Sequence, residues 1–455
     1  MISSNSNTLW LKNPRACWTG NTQDASNGLV IQGNNIIELV AAGATPASTY
    51  DYSFDASDHV ILPGLINCHH HFYQTLTRAL PGALNKELFP WLQALYPVWA
   101  NLNDEAIFAS TQLALSELLL SGCTTAADHH YVFSSIMPHA IDAQVAAAKI
   151  IGSRVTLTRG SMSLGQSKGG LPPDSVVESD EKILSESERL IHSYHDTSED
   201  SFCKIALAPC SPFSVTPDLM RATAVLAQQK NVLLHTHLGE TEDENNFCLK
   251  QFGMRPVDYL DDVGWLNNRA WLAHGIHFNE EEIARLGHAC VGVCHCPSSN
   301  MLLASGMCHT RDLQRAGAPV GLGVDGSASN DGSNMIQEVR QAMLLQKLRY
   351  GSANFTHIDA LKLATSGSAK LLHRPELGEL AVGKKADLAL FSLNEPRFSG
   401  HGDPLAALIL CGAHKADYVM VAGEWKVKNG EMVDVDINDV MARHGVAAKR
   451  LQTML

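Results

Sequence analysis

Pro63-Gly-Leu-Ile-Asn-Cys-His-His-His71 is the stretch on which the fold turns. A short apolar run closes on three histidines. In an extended strand, residues two apart project to the same face. His69 and His71 therefore point together, and His70 points away. Two imidazoles side by side at a strand end can share one divalent metal ion, though paired histidines also simply pack or meet solvent. In a (β/α)8 barrel such groups gather at the C-terminal rim of the strands.

Other strands end in the same way. Working outward from 61–68, apolar strand patterns recur at 124–128, 155–159, 205–209, 232–237, 270–274, 291–295 and 320–325. Amphipathic helix patterns lie between most of them. The clearest spans 104–121, with Asn103 as N-cap, Gly122 as stop, and Ile107, Leu115, Leu118 and Leu119 as an apolar stripe. Eight β-then-α units predict an α/β fold, a (β/α)8 barrel over 63–379; a doubly wound open sheet is the alternative. Residues 1–62 and 380–455 read differently. Short β segments at 8–12, 29–32 and 36–40, the last two joined by Gly33-Asn34-Asn35, are matched by 386–391 and 418–421 near the other end. They predict one small β-sandwich domain built from both chain ends. Residues 160–175, rich in Gly, Ser and Pro, make a loop long enough to be a lid.

The balance of 34 Lys and Arg against 47 Asp and Glu gives a net charge of −13, with no basic run. That disfavours nucleic acid and anionic membranes as partners. No apolar stretch approaches the ~18 residues of a spanning helix, and the N-terminal residues lack a signal-peptide core. A cytoplasmic location is expected. The 11 cysteines are scattered without a CxxC pair, which reads as reduced, buried thiols.

Three more strand ends carry candidate groups. In His235-Thr-His237-Leu-Gly-Glu240, His237 ends a strand and Glu240 opens the loop that follows. A ligand and a proton shuttle would then stand side by side. His235 is on the same face one layer deeper and reads as a core histidine. His274 ends the sixth strand, where a lone histidine is more often structural than catalytic. Asp325, within Gly321-Leu-Gly-Val-Asp325-Gly, could ligate metal, act as a base or close an Asx turn. Each signal is modest alone. Their convergence on the ends of different strands makes a metal-dependent site the joint reading. Two other matches fail on context. Residues 321–326 spell GxGxxG, but no helix opens at the third Gly. Residues 165–169 spell GxSxG, but a Gly-Gly-Leu-Pro-Pro loop follows.

With PGLINCHHH, HLGE, HCPSSN, GVDGSASN and GELAVGKKADLALF in this order, nearly the whole chain resembles the amidohydrolase superfamily, in its mononuclear nucleobase deaminase branch. The resemblance implies that His69, His71, His237 and Asp325 hold one divalent metal ion, Zn²⁺ ahead of Fe²⁺. It implies Glu240 as proton shuttle, and His274 as the group that orients and polarises the attacking water. The lysine of binuclear members is missing, because the fourth strand ends at Ala208-Pro209-Cys210. HHHFYQTLTRALP, LFPWLQALYPVWANL, SGCTTAADHHY and RGSMSLGQSKGGLPPDS resemble the 8-oxoguanine deaminase family. That implies hydrolysis of 8-oxoguanine to urate and ammonia, with isoxanthopterin, guanine, isocytosine or an s-triazine as the alternatives. The neighbouring nucleoside deaminases hold ribose with a glutamate where this chain has Trp99. Members of the superfamily commonly form homo-oligomers, which is the expectation here. A non-catalytic barrel would show gaps in the ligand set, and this sequence has none. Four substrate contacts are expected. Gln74 would read a lactam or amidine edge, Trp91 would stack on the ring, Arg159 would bind a carbonyl oxygen, and Cys210 would meet the C8 oxygen side. The bland counterparts are a solvated amide, a packed indole, a structural salt bridge and a core thiol.

Overall fold

The computed structural model describes residues 7–453. Residues 1–6 and 454–455 lie outside the described residues; the β-sandwich domain expected over 1–62 and 380–455 includes them, and the first six also fall in the stretch read for a signal peptide.

Eight parallel strands follow one another around a ring in chain order: Leu65–Asn67, Cys123–Asp128, Arg154–Ser161, Cys203–Pro209, Leu234–Leu238, Ala270–His274, Gly292–His295 and Val320–Leu322. Their residues are buried almost throughout. That is what a parallel sheet wrapped in helices demands, and it is why these segments read as unbroken apolar runs. Hydrogen bonds link the first strand's end to the eighth. Cys68 N–H donates to the Leu322 carbonyl (2.9 Å), Asn67 Oδ1 accepts from Val324 N–H (2.9 Å), and Asp325 N–H donates to the His69 carbonyl (3.0 Å). These links set the first and last candidate segments side by side. The helix Asp104–Leu120 begins as expected, with Asn103 Oδ1 accepting from Ala106 N–H at 3.0 Å.

The run expected as one strand over 61–68 is two. His59–Pro63 pairs antiparallel with Leu388–Ser392, whereas Leu65–Asn67 joins the barrel beside Cys123–Asp128. Gly64 is the crossing point. A Cβ there would lie 2.2 Å from Thr124 Oγ1 and 2.5 Å from its Cγ2, so only glycine lets the chain pass this close.

The ends of the chain form two sheets. One has four strands, Asn35–Leu39, Gly28–Gln32, Thr8–Lys12 and Tyr52–Asp55, with the expected hairpin at Gly33 and Asn34. The other has six and draws on both ends, from Ala16–Cys17 through His59–Pro63, Leu388–Ser392, Tyr418–Val421 and Glu424–Lys428 to Glu431–Met432. Leu9, Leu11, Leu29 and Ile31 bury against Ile61, Leu388, Leu390 and Met420 in one cluster. The last helix, Ile437–Gln452, leaves these sheets and lies on the barrel, where Gln452 Nε2 donates to the Leu76 carbonyl (2.8 Å). The loop after Arg154–Ser161 carries two short 3₁₀ turns, and its start is tied down by N–H bonds from Ser163 and Leu164 to the Ser214 carbonyl. Among the described residues no helix is long and apolar enough to cross a membrane.

Candidate active site

The alternation of a strand end brings the His69 and His71 rings to 4.7 Å between centroids. His70 points away to Ser333 Oγ, 2.8 Å from its Nε2. From the neighbouring eighth-strand segment Asp325 meets both outer imidazoles: Oδ1 is 3.2 Å from His69 Nε2 and 3.3 Å from His71 Nε2. His237, from the fifth strand, puts its Nε2 3.2 Å from His71 Nε2. Donor atoms of His69, His71 and Asp325 lie within 4.8 Å of one another, as do those of His69, His237 and His274.

What aims these rings is on their far sides. Nδ1–H of His71 donates to the His129 carbonyl (2.6 Å), and Nδ1–H of His237 donates to the Cys210 carbonyl (2.7 Å). His69 is held by a relay. Its Nδ1 is 2.8 Å from His235 Nε2, and His235 Nδ1–H donates to the Trp271 carbonyl at 2.8 Å. Burial pushes His235 well below the usual imidazole range, so it is neutral and its Nε2 accepts. Each ring therefore carries its proton on Nδ1 and turns a bare Nε2 into the same space, the arrangement that orients metal-binding histidines. His69 Nε2 is buried without a hydrogen-bond partner. Burial alone would raise the Asp325 carboxyl, but the imidazoles packed against it, His69 first and then His71 and His274, hold it well below its usual range. Three imidazole nitrogens and a carboxylate converging this way fit a divalent metal.

Glu240 and His274 stand beside this cluster, with Glu240 Oε2 3.4 Å from His274 Nε2. Burial pushes the Glu240 carboxyl well above its usual range, aided by the charges of Asp325 and Glu244, so it keeps a proton. Burial pushes His274 down to about 3. The Asn300 side-chain N–H donates to His274 Nδ1 (2.9 Å), which leaves the proton of this neutral ring on Nε2. His274 and Asp325 both have left-handed backbones, at φ +76° and +62°. Neither is glycine, so each stores strain that the surrounding bonds maintain.

His71, His237, Asp325, Glu240 and His274 open on a cavity that is also lined by Gln74, Trp91, Tyr96, Tyr131, Cys210 and Phe213. Gln74 Oε1 accepts from Ala328 N–H at 3.4 Å, while its Nε2 is buried without a partner. The Trp91 indole N–H donates to the Ala328 carbonyl (3.1 Å) and leaves its ring on the cavity wall. Burial pushes the Cys210 thiol up to about 12, so it stays neutral. Arg159 departs from expectation. The third strand continues to Ser161, which leaves Arg159 below the rim and off the cavity wall. There its guanidinium pairs with Glu178 (2.6 Å), stacks 3.7 Å over the Phe133 ring and donates to the Gly160 carbonyl.

Sequence reasoning missed Tyr96, Tyr131, Phe213 and the support Asn300, and it read His235 as a core histidine, which it is, without its hold on His69. A signal for Tyr96 exists. Leu88, Trp91, Leu92 and Tyr96 all line the cavity, at the spacing of one face of the helix Leu88–Trp99. The Tyr96 hydroxyl is buried without a partner. Trp99 is fully buried behind that face, edge-on to Trp91 and Tyr73, with its indole N–H donating to Thr77 Oγ1 at 3.2 Å.

An eight-stranded barrel with this cluster at its C-terminal rim defines a class, and the chain belongs to the amidohydrolase family, whose profile matches residues 60–426. Over 442 residues it is 59% identical to the 8-oxoguanine deaminase of Pseudomonas aeruginosa, covering 97% of this chain and 98% of that one. It is 37% identical over 382 residues to the hydroxydechloroatrazine ethylaminohydrolase of a Pseudomonas species, covering 82% and 79%. The crystal structure of atrazine chlorohydrolase from Arthrobacter aurescens, complexed with zinc, superposes with a TM-score of 0.91 at 30% identity, covering 97% of this chain and 100% of that one.

Proposed function

We propose that this chain hydrolyses the amino group from a purine-type base, 8-oxoguanine in first place, releasing urate and ammonia. The observation that carries this reading is the clustering of His69, His71, His237 and Asp325 donor atoms beside Glu240 and His274, with all but His69 on the wall of one cavity. The identity of 59% to an 8-oxoguanine deaminase supports the substrate.

His69, His71, His237 and Asp325 are the proposed ligands of one divalent ion, Zn²⁺ ahead of Fe²⁺. Bound there, the ion supplies Lewis-acid chemistry, lowering the pKa of a water toward ~7. The chain's own groups do the rest. Asp325 takes the proton that the water sheds, and His274 orients the water. Glu240 gives its proton to the ring nitrogen beside the amino-bearing carbon, which makes that carbon electrophilic. The C–O bond forms as the C=N bond becomes C–N–H. Glu240 then collects the proton of the new hydroxyl and passes it to the amine, and the proton left on Asp325 returns to Glu240 to close the cycle. The C–N bond to the amine breaks, ammonia leaves and a carbonyl remains.

Trp91 and Tyr131 flank the base, and the unpartnered Gln74 Nε2 and Tyr96 hydroxyl take its polar edge. A ribose-holding carboxylate has no place here, because Trp99 fills that position as buried wall. The same reading has the enzyme act in the cytoplasm as a homo-oligomer, the latter tested by light scattering.

The test is ammonia release by metal-analysed protein from 8-oxoguanine, guanine, isoxanthopterin, isocytosine and an s-triazine. A kcat/KM at or above ~10⁴ M⁻¹s⁻¹ on 8-oxoguanine alone is expected. Turnover of isoxanthopterin instead keeps the chemistry and overturns the substrate.

A further inference from the structure

Glu244 is buried, lies off the cavity wall and takes no part in the steps above. It is the third residue of the helix Glu242–Phe252, whose N-cap is Thr241. A glutamate at this position ordinarily reaches back to the N–H of the cap itself. Here it reaches further. Oε1 accepts from Gly239 N–H at 2.7 Å and Oε2 accepts from Glu240 N–H at 3.2 Å. The two oxygens grip the two residues just before the cap. Gly239 is also gripped from its other side, where its carbonyl accepts from the N–H groups of Ile276 (2.7 Å) and His277 (2.9 Å), just past His274. Its φ is +68°, and a Cβ there would lie 2.5 Å from the Phe278 ring. The backbone from which the Glu240 side chain departs is therefore fixed on every side.

We propose that Glu244 is a positioning residue, holding the Gly239 and Glu240 amides so that the Glu240 carboxyl is aimed at the base and at His274. The inference rests on the acid–base role proposed for Glu240. The geometry matters because a group that must deliver a proton works only within hydrogen-bond reach, and a misplacement of ~1 Å can cost ~10²-fold in rate. Glu244 suits the task because a carboxylate offers two acceptors and no donor. An amide in its place would accept from one N–H and confront the other with its own.

Glu244→Gln and Glu244→Asp test this, the second keeping the charge while shortening the reach. Both are expected to lower kcat by ~10- to 100-fold on whichever base the panel identifies. KM is expected to stay within about threefold and metal content at the wild-type level, because the loss lies in the transition state. Hydrogen–deuterium exchange over residues 238–241, a readout that needs no turnover, should speed up about tenfold or more as the two amides lose their acceptor. Wild-type kcat in both variants, or Gly239 and Glu240 amides that stay protected in them, would overturn the proposal. Glu240→Gln measured alongside separates the two readings. Full turnover there removes the acid–base role, while amide exchange still decides whether Glu244 holds the loop.

Discussion

His235 lies one layer below the cavity, yet it sets which nitrogen of His69 carries the proton, just as the carbonyls of His129 and Cys210 do for His71 and His237. Substitution of a ligand and of the shuttle should therefore have separable effects. His237→Ala is expected to lose the metal by elemental analysis; full occupancy would remove it from the ligand set. Glu240→Gln is expected to keep the metal while kcat falls by ~10²- to 10⁴-fold, the usual range for a general acid–base group. Arg159 makes a contrasting case. Its ion pair with Glu178 is buried, and removing the guanidinium leaves that carboxylate only Lys182 (2.9 Å), at a cost toward the lower end of the about 3–5 kcal/mol of a broken buried pair. Arg159→Ala should lower the melting temperature steeply and leave the KM of the folded fraction unchanged. At this scale the sequence was legible where spacing alone sets direction, as with His69 and His71. It misled at Arg159, because whether a residue stands at the rim depends on where its strand stops, and the third strand runs two residues further.

At the scale of elements, the helix Leu88–Trp99 turns one face to the cavity, and Trp99, a turn beyond Tyr96 on that same face, packs edge-on against Trp91, Tyr96 and Tyr73. If the Tyr96 hydroxyl binds a polar edge of the base, Tyr96→Phe should raise KM by about three- to tenfold, the worth of one neutral hydrogen bond, at little cost in kcat. The helix Met335–Tyr350 has a different duty. From it Glu338 accepts from Ser298 N–H (2.8 Å), Ser298 Oγ (2.7 Å) and Asn330 Nδ2 (3.3 Å), pinning the helix Pro297–Leu302, which carries Asn300, and the loop that follows Asp325. Burial pushes its carboxyl up to about 7, against ~4.3 in the unfolded chain. Its contribution to stability is present below ~4.3 and is lost as pH rises through about 7. Glu338→Gln should therefore gain on the wild type in melting temperature between pH 5 and pH 8. A difference that is flat with pH would refute this. His295, pushed down to about 3 by burial, acts in the opposite sense, since below ~6.5 the unfolded chain takes up a proton that the folded one refuses. Helix starts such as Asn103 were legible because caps are local chemistry. The break at Gly64 was not, because only Thr124, packed against it from the second strand, shows why the chain must divide there.

For the whole molecule, eight strand ends read from apolar runs were enough to foretell a barrel and the rim on which its chemistry gathers. What remained hidden was the wall of the cavity, because Tyr96, Tyr131 and Phe213 come from separate loops and a helix that only the folded chain brings together. The proposed ligands belong to the first, fifth and eighth strands and the segments beyond them, so an ion bound to them clamps the ring at three places. Chelation should lower the melting temperature, and re-addition of Zn²⁺ at 100 times its dissociation constant should restore about 2.7 kcal/mol. The passage at Gly64 extends that expectation beyond the barrel. His59–Pro63, deep in the six-stranded sheet, and Leu65–Asn67, which leads directly to His69, are a single ribbon interrupted by one glycine. Fraying of the outer sheet would pull on the strand that presents the histidines. Calorimetry should accordingly record one cooperative endotherm for the entire chain, and chelation should displace it as a unit without splitting it in two.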